Sequence, residues 1–342
     1  MPQLSTAWAI GNEGEPPPVY ILKRGEVTRK GAIVQPGFPK VLTSSSQEDA
    51  KNSAGRLELA RWLTNGNNPL TARVMVNRLW QHHFGKGIVG TPNDFGLRGQ
   101  APTHPELLDW LAIEFVEHGW SQKHMHRLMV LSSIYQQASR LPGDSKTRKS
   151  DPDNRLLGRM SRCRLEGEAI RDFSLSVSGK LNLDVGGPMV RIPLEPAVYE
   201  LIFSEEEPDD LWRTTADPRS HCRRSLYLFA KRNVRLPLLE AFDQPDTLTS
   251  CPVRPVSTFA PQALIMLNGP FMQECSSELA KRLRRERPDD LQAQVELAYR
   301  LALCRPPKEA ERKLIADFFA SKGNLEDFCL ALLNSNEFNY MN

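Results

Sequence analysis

NNPLTARVMVNRLWQHHFGKGIVGTPNDFG, residues Asn67 to Gly96, places a Pro-opened helix, a Gly-rich exit and a polar loop in one continuous stretch. Pro69 suits a first helical turn, where its missing N–H would have had no partner, and Gly85 and Gly87 free the chain to turn away at the other end. Ala72, Val76, Leu79, Trp80 and His83 recur at helical spacing and predict a buried side. Arg73, Asn77, Arg78 and Gln81 fall towards the flanks or the polar side, so Arg73 and Asn77 are expected to tolerate alanine unless they meet a buried partner.

Outward from this helix the pattern stays helical. RLELARWLTNG, from Arg56, precedes it, and PELLDWLAIEFVEHG and SQKHMHRLMVLSSIYQQAS follow, with Ser121 as the cap of the last. Leu107, Leu108, Leu111, Phe115 and Val116 form one stripe; Met125, Leu128, Met129, Ser132 and Tyr135 form the next. Trp80 and Trp110 are both expected in the core. Upstream, VYILKRGEV alternates like a short strand that Gly31, Pro36, Gly37 and Pro39 then break. Downstream, 141–150 reads as a loop, Asp151 and Pro152 as the start of a short helix, and RLEGEAIRDFSLSVSGKLN as a longer one ending near Gly179. Residues 185–218, with the acidic run Glu205 to Asp210, are expected to form a long surface excursion, and RRSLYLF to supply a small β-element beside PLLEAFDQPD. From Pro261 four stripes return: Leu279 and Leu283; Leu291, Val295 and Leu301; Leu314, Ile315, Phe318 and Phe319; Phe328, Leu332 and Leu333.

These readings predict a mainly α fold, a multi-helical globular domain with a small irregular β-containing middle. The expected organisation is an N-terminal connector over 1–50 and a helical domain over 51–342. Within the latter lie a helical body (51–182), an irregular middle (183–257) and a helical end (258–342).

The string Asn67 to Gly96, followed by PTHPELLDWLAIEF, DPDNRLL, RLEGEAIRD, TFAPQALIMLNGPF and LLNSNEF, resembles the PSD-one family, a planctomycete domain of unknown function. The resemblance runs from about Tyr20 to the end. It implies the C-terminal part of an exported protein, with a c-type cytochrome domain and a second family domain as upstream or separate partners and an extracytoplasmic location, periplasmic or secreted. It brings no activity with it. The opening MPQLSTAWAIGNEGEPPP lacks a basic region leading into an apolar core, which departs from that pattern. The expectation is a C-terminal piece or a shortened gene, with a stand-alone cytoplasmic protein as the alternative.

Composition narrows the partners. With 44 basic and 41 acidic residues the net charge is +3, too even for a nucleic acid or anionic surface to be the expected partner. No apolar run reaches the roughly 18 to 20 residues of a membrane span. The basic run Lys281 to Arg287 reads as a solvated helix end. No CxxCH occurs, so no cofactor is expected in this chain, and any c-type haem is assigned to a partner domain. Cys163, Cys222, Cys251, Cys275, Cys304 and Cys329 are scattered singly and expected mostly as free thiols.

Candidate chemistry falls in two places. His82, Asn93, Asp94, His104, Glu106 and Asp109 surround the TPNDFG loop. Converging, they could run acid–base chemistry, and His82, Asp94 and His104 could hold a divalent metal. The competing reading is caps and turn hydrogen bonds. The second place is Arg164 to Asp172, where Arg164/Glu168 and Glu168/Asp172 at i,i+4 read as a ladder of ion pairs or, alternatively, as a carboxylate pair. Trp120 and Trp212 are the expected exposed aromatics for a ligand such as polysaccharide. Two functions follow: a noncatalytic assembly or binding module, or a hydrolase or redox-coupled enzyme acting on polysaccharide or another complex substrate.

Overall fold

The computed structural model describes residues 17–42, 55–140, 149–202, 212–232 and 234–341. The acidic run Glu205 to Asp210 and most of the loop read at 141–150 lie outside them. The fold is mainly helical with small two-stranded sheets. No helix among the described residues is long and apolar enough to cross a membrane. The chain divides into two compact units, Met1–Val76 with Asp109–Ser121, and Asn77–Leu108 with Gln122–Asn342.

In the first unit, β1 (Val19–Leu22) pairs antiparallel with β2 (Lys30–Val34). Gly31, read from sequence as a breaker, lies inside β2. A Cβ there would meet the Ile21 carbonyl oxygen at 2.8 Å, so the close approach of the strands needs glycine. Helix α1 (Arg56–Leu63) follows, with the Glu58 carboxylate accepting from the Gly55 N–H at 3.0 Å. Trp62 stacks on Phe38 with ring centroids 4.8 Å apart. Helix α2 (Thr71–Phe84) starts two residues after Pro69. The residue that starts it is Asn68, whose buried side chain accepts from the N–H groups of Leu70 and Thr71.

Helix α3 (Pro105–Glu117) buries Leu108, Leu111 and Phe115 as its stripe predicts, but Trp110 is 49% exposed and not a core residue. Helix α4 (Gln122–Val130), in the second unit, buries Met125 and Met129 and stops short of the expected Tyr135. Ser132 explains the stop. Its hydroxyl donates to the Met129 carbonyl and accepts from the Tyr135 N–H, offering the backbone an alternative to the next helical turn.

Asp151 also departs from expectation. Its carboxylate caps the N–H groups of Arg155 and Leu156, but the segment it closes is a set of turns and not a helix. The long helix predicted next is α5 (Gly167–Ser178), preceded by β3 (Cys163–Arg164) and ended by Gly179 at φ 80°. In the middle, Ser225–Tyr227 is a turn of 3-10 helix and not the predicted strand, and single bridges tie Asn182 to Arg223 and Val190 to Leu228. Nor is this segment wholly on the surface. Beside α6 (Pro196–Ile202), Trp212 and Val234 are buried with Leu194, Tyr199 and Phe229 packed on them, a small core of its own. The short α7 (Pro237–Ala241) closes the middle.

The second unit is built round one helix. After α8 (Ala260–Asn268), α9 (Pro270–Glu286) packs on α5, on α8, on α10 (Leu291–Leu303) and on α12 (Leu325–Leu333). Leu279, Ala280 and Leu283 are wholly buried at its centre, with Cys329 and Leu333 facing them in the same core. Burial pushes the Cys275 and Cys329 thiols up to about 12. All six cysteines are free. The intervening α11 (Glu309–Ala320) buries nothing completely, and Leu291 and Leu314 of the predicted stripes are exposed. The basic end of α9 is tied down by acids: Lys281 bonds Glu278, Arg282 bonds Glu286, and Arg284 makes a two-pronged contact with Glu326. The chain closes with α13 (Asn336–Asn339) and β4 (Tyr340–Met341), the latter paired with β3.

Candidate functional site

The loop that follows α2 is held from below by a side chain read as surface polar. Asn77 is wholly buried, its amide donating to the Val89 carbonyl at 3.0 Å and its carbonyl accepting from the Val89 N–H at 2.8 Å. The loop imitates a strand partner against this one amide, with Ile88 and Val89 buried beside it. Gly87 is the position this approach requires, since a Cβ there would lie 2.7 Å from the Asn77 amide nitrogen and 2.6 Å from the Val89 oxygen. Asn77→Ala is therefore expected to cost about 2 to 3 kcal/mol, because it strips a buried N–H and a buried C=O of their partners. A denaturation midpoint equal to that of the parent would overturn this account of the loop.

Above that clamp the loop is closed by its own polar groups. The Thr91 hydroxyl donates to the Asp94 carbonyl at 2.7 Å and accepts from the Gln100 N–H at 2.9 Å, while the Asp94 carboxylate accepts from the Gly96 N–H at 2.8 Å. Arg78 reaches Asn93, Asn93 reaches the Ser250 hydroxyl, and Gln81 reaches the Pro252 carbonyl. His82 is exposed on α2, and Glu106 is exposed in the first turn of α3. His104 is half-buried with Nδ1 2.9 Å from the Thr103 hydroxyl. Among the described residues, no hydrogen bond or ion pair joins His82, Asp94, His104 and Glu106 to one another. Asp109, in the first unit, pairs with Arg73 at 2.7 Å.

The imidazole that does find another is His83, read from sequence as part of the buried side of this helix. Its Nε2 lies 2.8 Å from Nδ1 of His126 on α4. Burial, then His126, then His82 lower the His83 pKa below the ordinary histidine value.

In the second place, the predicted i,i+4 ladder is replaced by long-range partners, because Arg164 lies in β3 and only Gly167 begins the helix. Arg164 is nearly buried against Asp243 at 2.8 Å and also donates to the Ser257 carbonyl. Burial, which would raise the Asp243 pKa, is outweighed by hydrogen bonds from Ser257 and Arg164, and the carboxyl sits below its usual range. Arg254 holds both Glu168, at 2.7 Å, and Glu166, at 3.4 Å. Asp172 accepts from the N–H and the hydroxyl of Ser225, each at 2.7 Å. Beside it Arg171 is buried and donates to the carbonyls of Arg223 and His221 and to the Ser225 hydroxyl.

A family model described as PSD1, protein of unknown function (DUF1553), matches residues 55–319. The chain belongs to this family. The matched range is narrower than the span from about Tyr20 to the end read from the residues, but it holds both clusters just described. No curated protein and no solved structure matches the chain. Within the family range no clear catalytic signature stands out.

The expected exposure of Trp212 is reversed. It is 6% exposed, and its indole N–H donates to the Ile192 carbonyl at 2.8 Å. Trp120 is half-buried at φ 60°, its ring edge-on to Phe115. The sequence reading also passed over metal-type donors at Glu114 and His118 and, on α4, at His124. In the first unit, Glu114 and His118 stand one turn apart, with Nδ1 of the imidazole 3.3 Å from the carboxylate. Their i,i+4 spacing was the signal. The open depression lined by Arg284, Asp289, Leu291, Gln294, Phe319 and Leu325 contains none of the residues read as candidates, so concavity and donor groups do not coincide there.

Proposed function

We propose that this chain is a noncatalytic assembly or binding module of an exported, cytochrome-linked protein, working outside the cytoplasm with a c-type cytochrome domain and a second family domain as partners. The observation that carries the reading is how the polar groups are spent. Asp94 closes its own turn, Glu166 and Glu168 share one guanidinium, Asp243 is held by Arg164 and Ser257, and Asp172 is held by Ser225. Carboxylates bonded in this way hold a surface in shape; a general base needs a lone pair facing substrate. Even charge also suits a protein partner better than a polyanion.

Sedimentation velocity of the chain mixed with the c-type cytochrome domain and the second family domain, each made separately and all in buffer containing a chelator, tests the proposal. A complex forming at about 1 to 10 μM is expected, which corresponds to roughly 7 to 8 kcal/mol of binding free energy. Independent sedimentation of all components at about 100 μM would overturn it.

The second reading is a hydrolase or redox-coupled enzyme acting on polysaccharide, and the exposure of His82 and Asp94 on one unit favours it. Release of reducing ends from a polysaccharide panel, abolished by Asp94→Asn, would move the assignment to that reading.

A further inference from the structure

We propose that His83 and His126 form a two-histidine site for a divalent transition-metal ion, with Cu2+ as the best fit. The inference goes beyond the assembly reading and does not depend on it.

Metal–imidazole bonds are about 2.0 to 2.1 Å long, so two ring nitrogens on one ion are about 2.9 Å apart at a right angle and about 3.4 Å apart at the tetrahedral angle. The separation here is 2.8 Å. Set by the proton the rings share, it is already close to the spacing of neighbouring ligands on a tetragonal ion, the geometry of Cu2+ and Ni2+.

Both donors stand on helices, α2 and α4 of the second unit, and the His83 ring is fixed by its surroundings. Tyr135 meets it edge-on at 5.7 Å, Phe84 lies at 6.4 Å, and Phe84 is itself stacked on the buried Trp80 at 4.1 Å. A ring held so firmly loses little freedom on binding. His126 is exposed, and the rings meet at 65°, so the ion can enter from solvent and complete its shell with water.

Protons balance without release. In the apo pair one nitrogen carries the shared hydrogen and the other accepts it; binding requires the donor ring to change tautomer, its proton moving to the opposite ring nitrogen. Coordination uses the neutral form of both rings.

The test uses the tag-free chain, titrated calorimetrically with Cu2+ at neutral pH and followed by electron paramagnetic resonance. One equivalent is expected, with an axial spectrum showing coupling to two imidazole nitrogens and with Zn2+ bound more weakly. His126→Ala should weaken Cu2+ binding at least about tenfold, a change of about 1.4 kcal/mol, and remove one nitrogen coupling. His83→Ala should do the same, and because that ring is packed, the exposed His126 variant carries the test if His83→Ala does not fold. A His82→Ala, His104→Ala double variant and a His118→Ala, His124→Ala double variant should retain the copper signal. Absence of Cu2+ uptake by the parent, or uptake unchanged in folded His126→Ala, would overturn the site. The chelator in the sedimentation experiment keeps the two outcomes separate.

Discussion

Arg171→Met is expected to destabilise the protein by roughly 3 to 5 kcal/mol, the cost of leaving a buried ionic and hydrogen-bonded group without its partner. The guanidinium is buried and serves two backbone carbonyls, those of His221 and Arg223, and the Ser225 hydroxyl, which in turn donates to Asp172. Methionine fills much of the volume and supplies none of the donors. The two carbonyls are then left dry, and Asp172 loses the positive charge 3.6 Å from one of its oxygens. Urea denaturation of parent and variant measures the loss. A double-mutant cycle with Asp172→Asn separates its parts: the two losses should sum to more than the loss in the double variant, since each single change strands the other's partner. A loss under about 1 kcal/mol for Arg171→Met would show that water replaces the guanidinium and that this network does not anchor the middle of the chain.

That network marks where sequence reading succeeds and where it stops. The helix containing Arg171 was legible because its end is punctuated by Gly179, whose positive φ a side chain would resist. What Arg171 and Glu168 would touch was not legible. Within the helix Glu168 has Arg171 and Asp172 one turn away, but it is bonded to Arg254, 86 residues further on. Helical spacing ranks local neighbours and is blind to a loop that returns.

The same limit accounts for Asn77, placed correctly on α2 but buried against Val89 by a loop that folds back under it. It also accounts for Trp212, whose polar neighbours in sequence implied exposure while Phe229 and Val234 close over it. At the helical end the stripes identified helices reliably and depth poorly. Leu279 and Leu283 lie at the centre because α9 is surrounded, whereas Leu314 is 70% exposed because α11 lies at the margin. At the candidate site, composition signalled donors near α2 and α3. Which imidazoles meet depends on the angle at which α4 arrives, and no local pattern encodes that.

Trp80→Ala is the second large effect, expected at roughly 3 to 5 kcal/mol through lost transfer free energy and the cavity left behind. Trp80 is buried on α2 and stacks on Phe84 at 4.1 Å, and Phe84 borders both His83 and Tyr135. The substitution therefore carries two readouts that should move together. Stability falls, seen as a lower denaturation midpoint with the slope unchanged. The His83 ring also loses the support of a fixed Phe84, so copper affinity should drop in protein that is still folded, by less than on removing His126 itself. Trp80→Phe, which keeps an aromatic ring against Phe84, should restore most of both. A midpoint equal to that of the parent would mean the side chain is not packed as described. A lowered midpoint with copper binding unchanged would mean that His83 is held by Tyr135 alone.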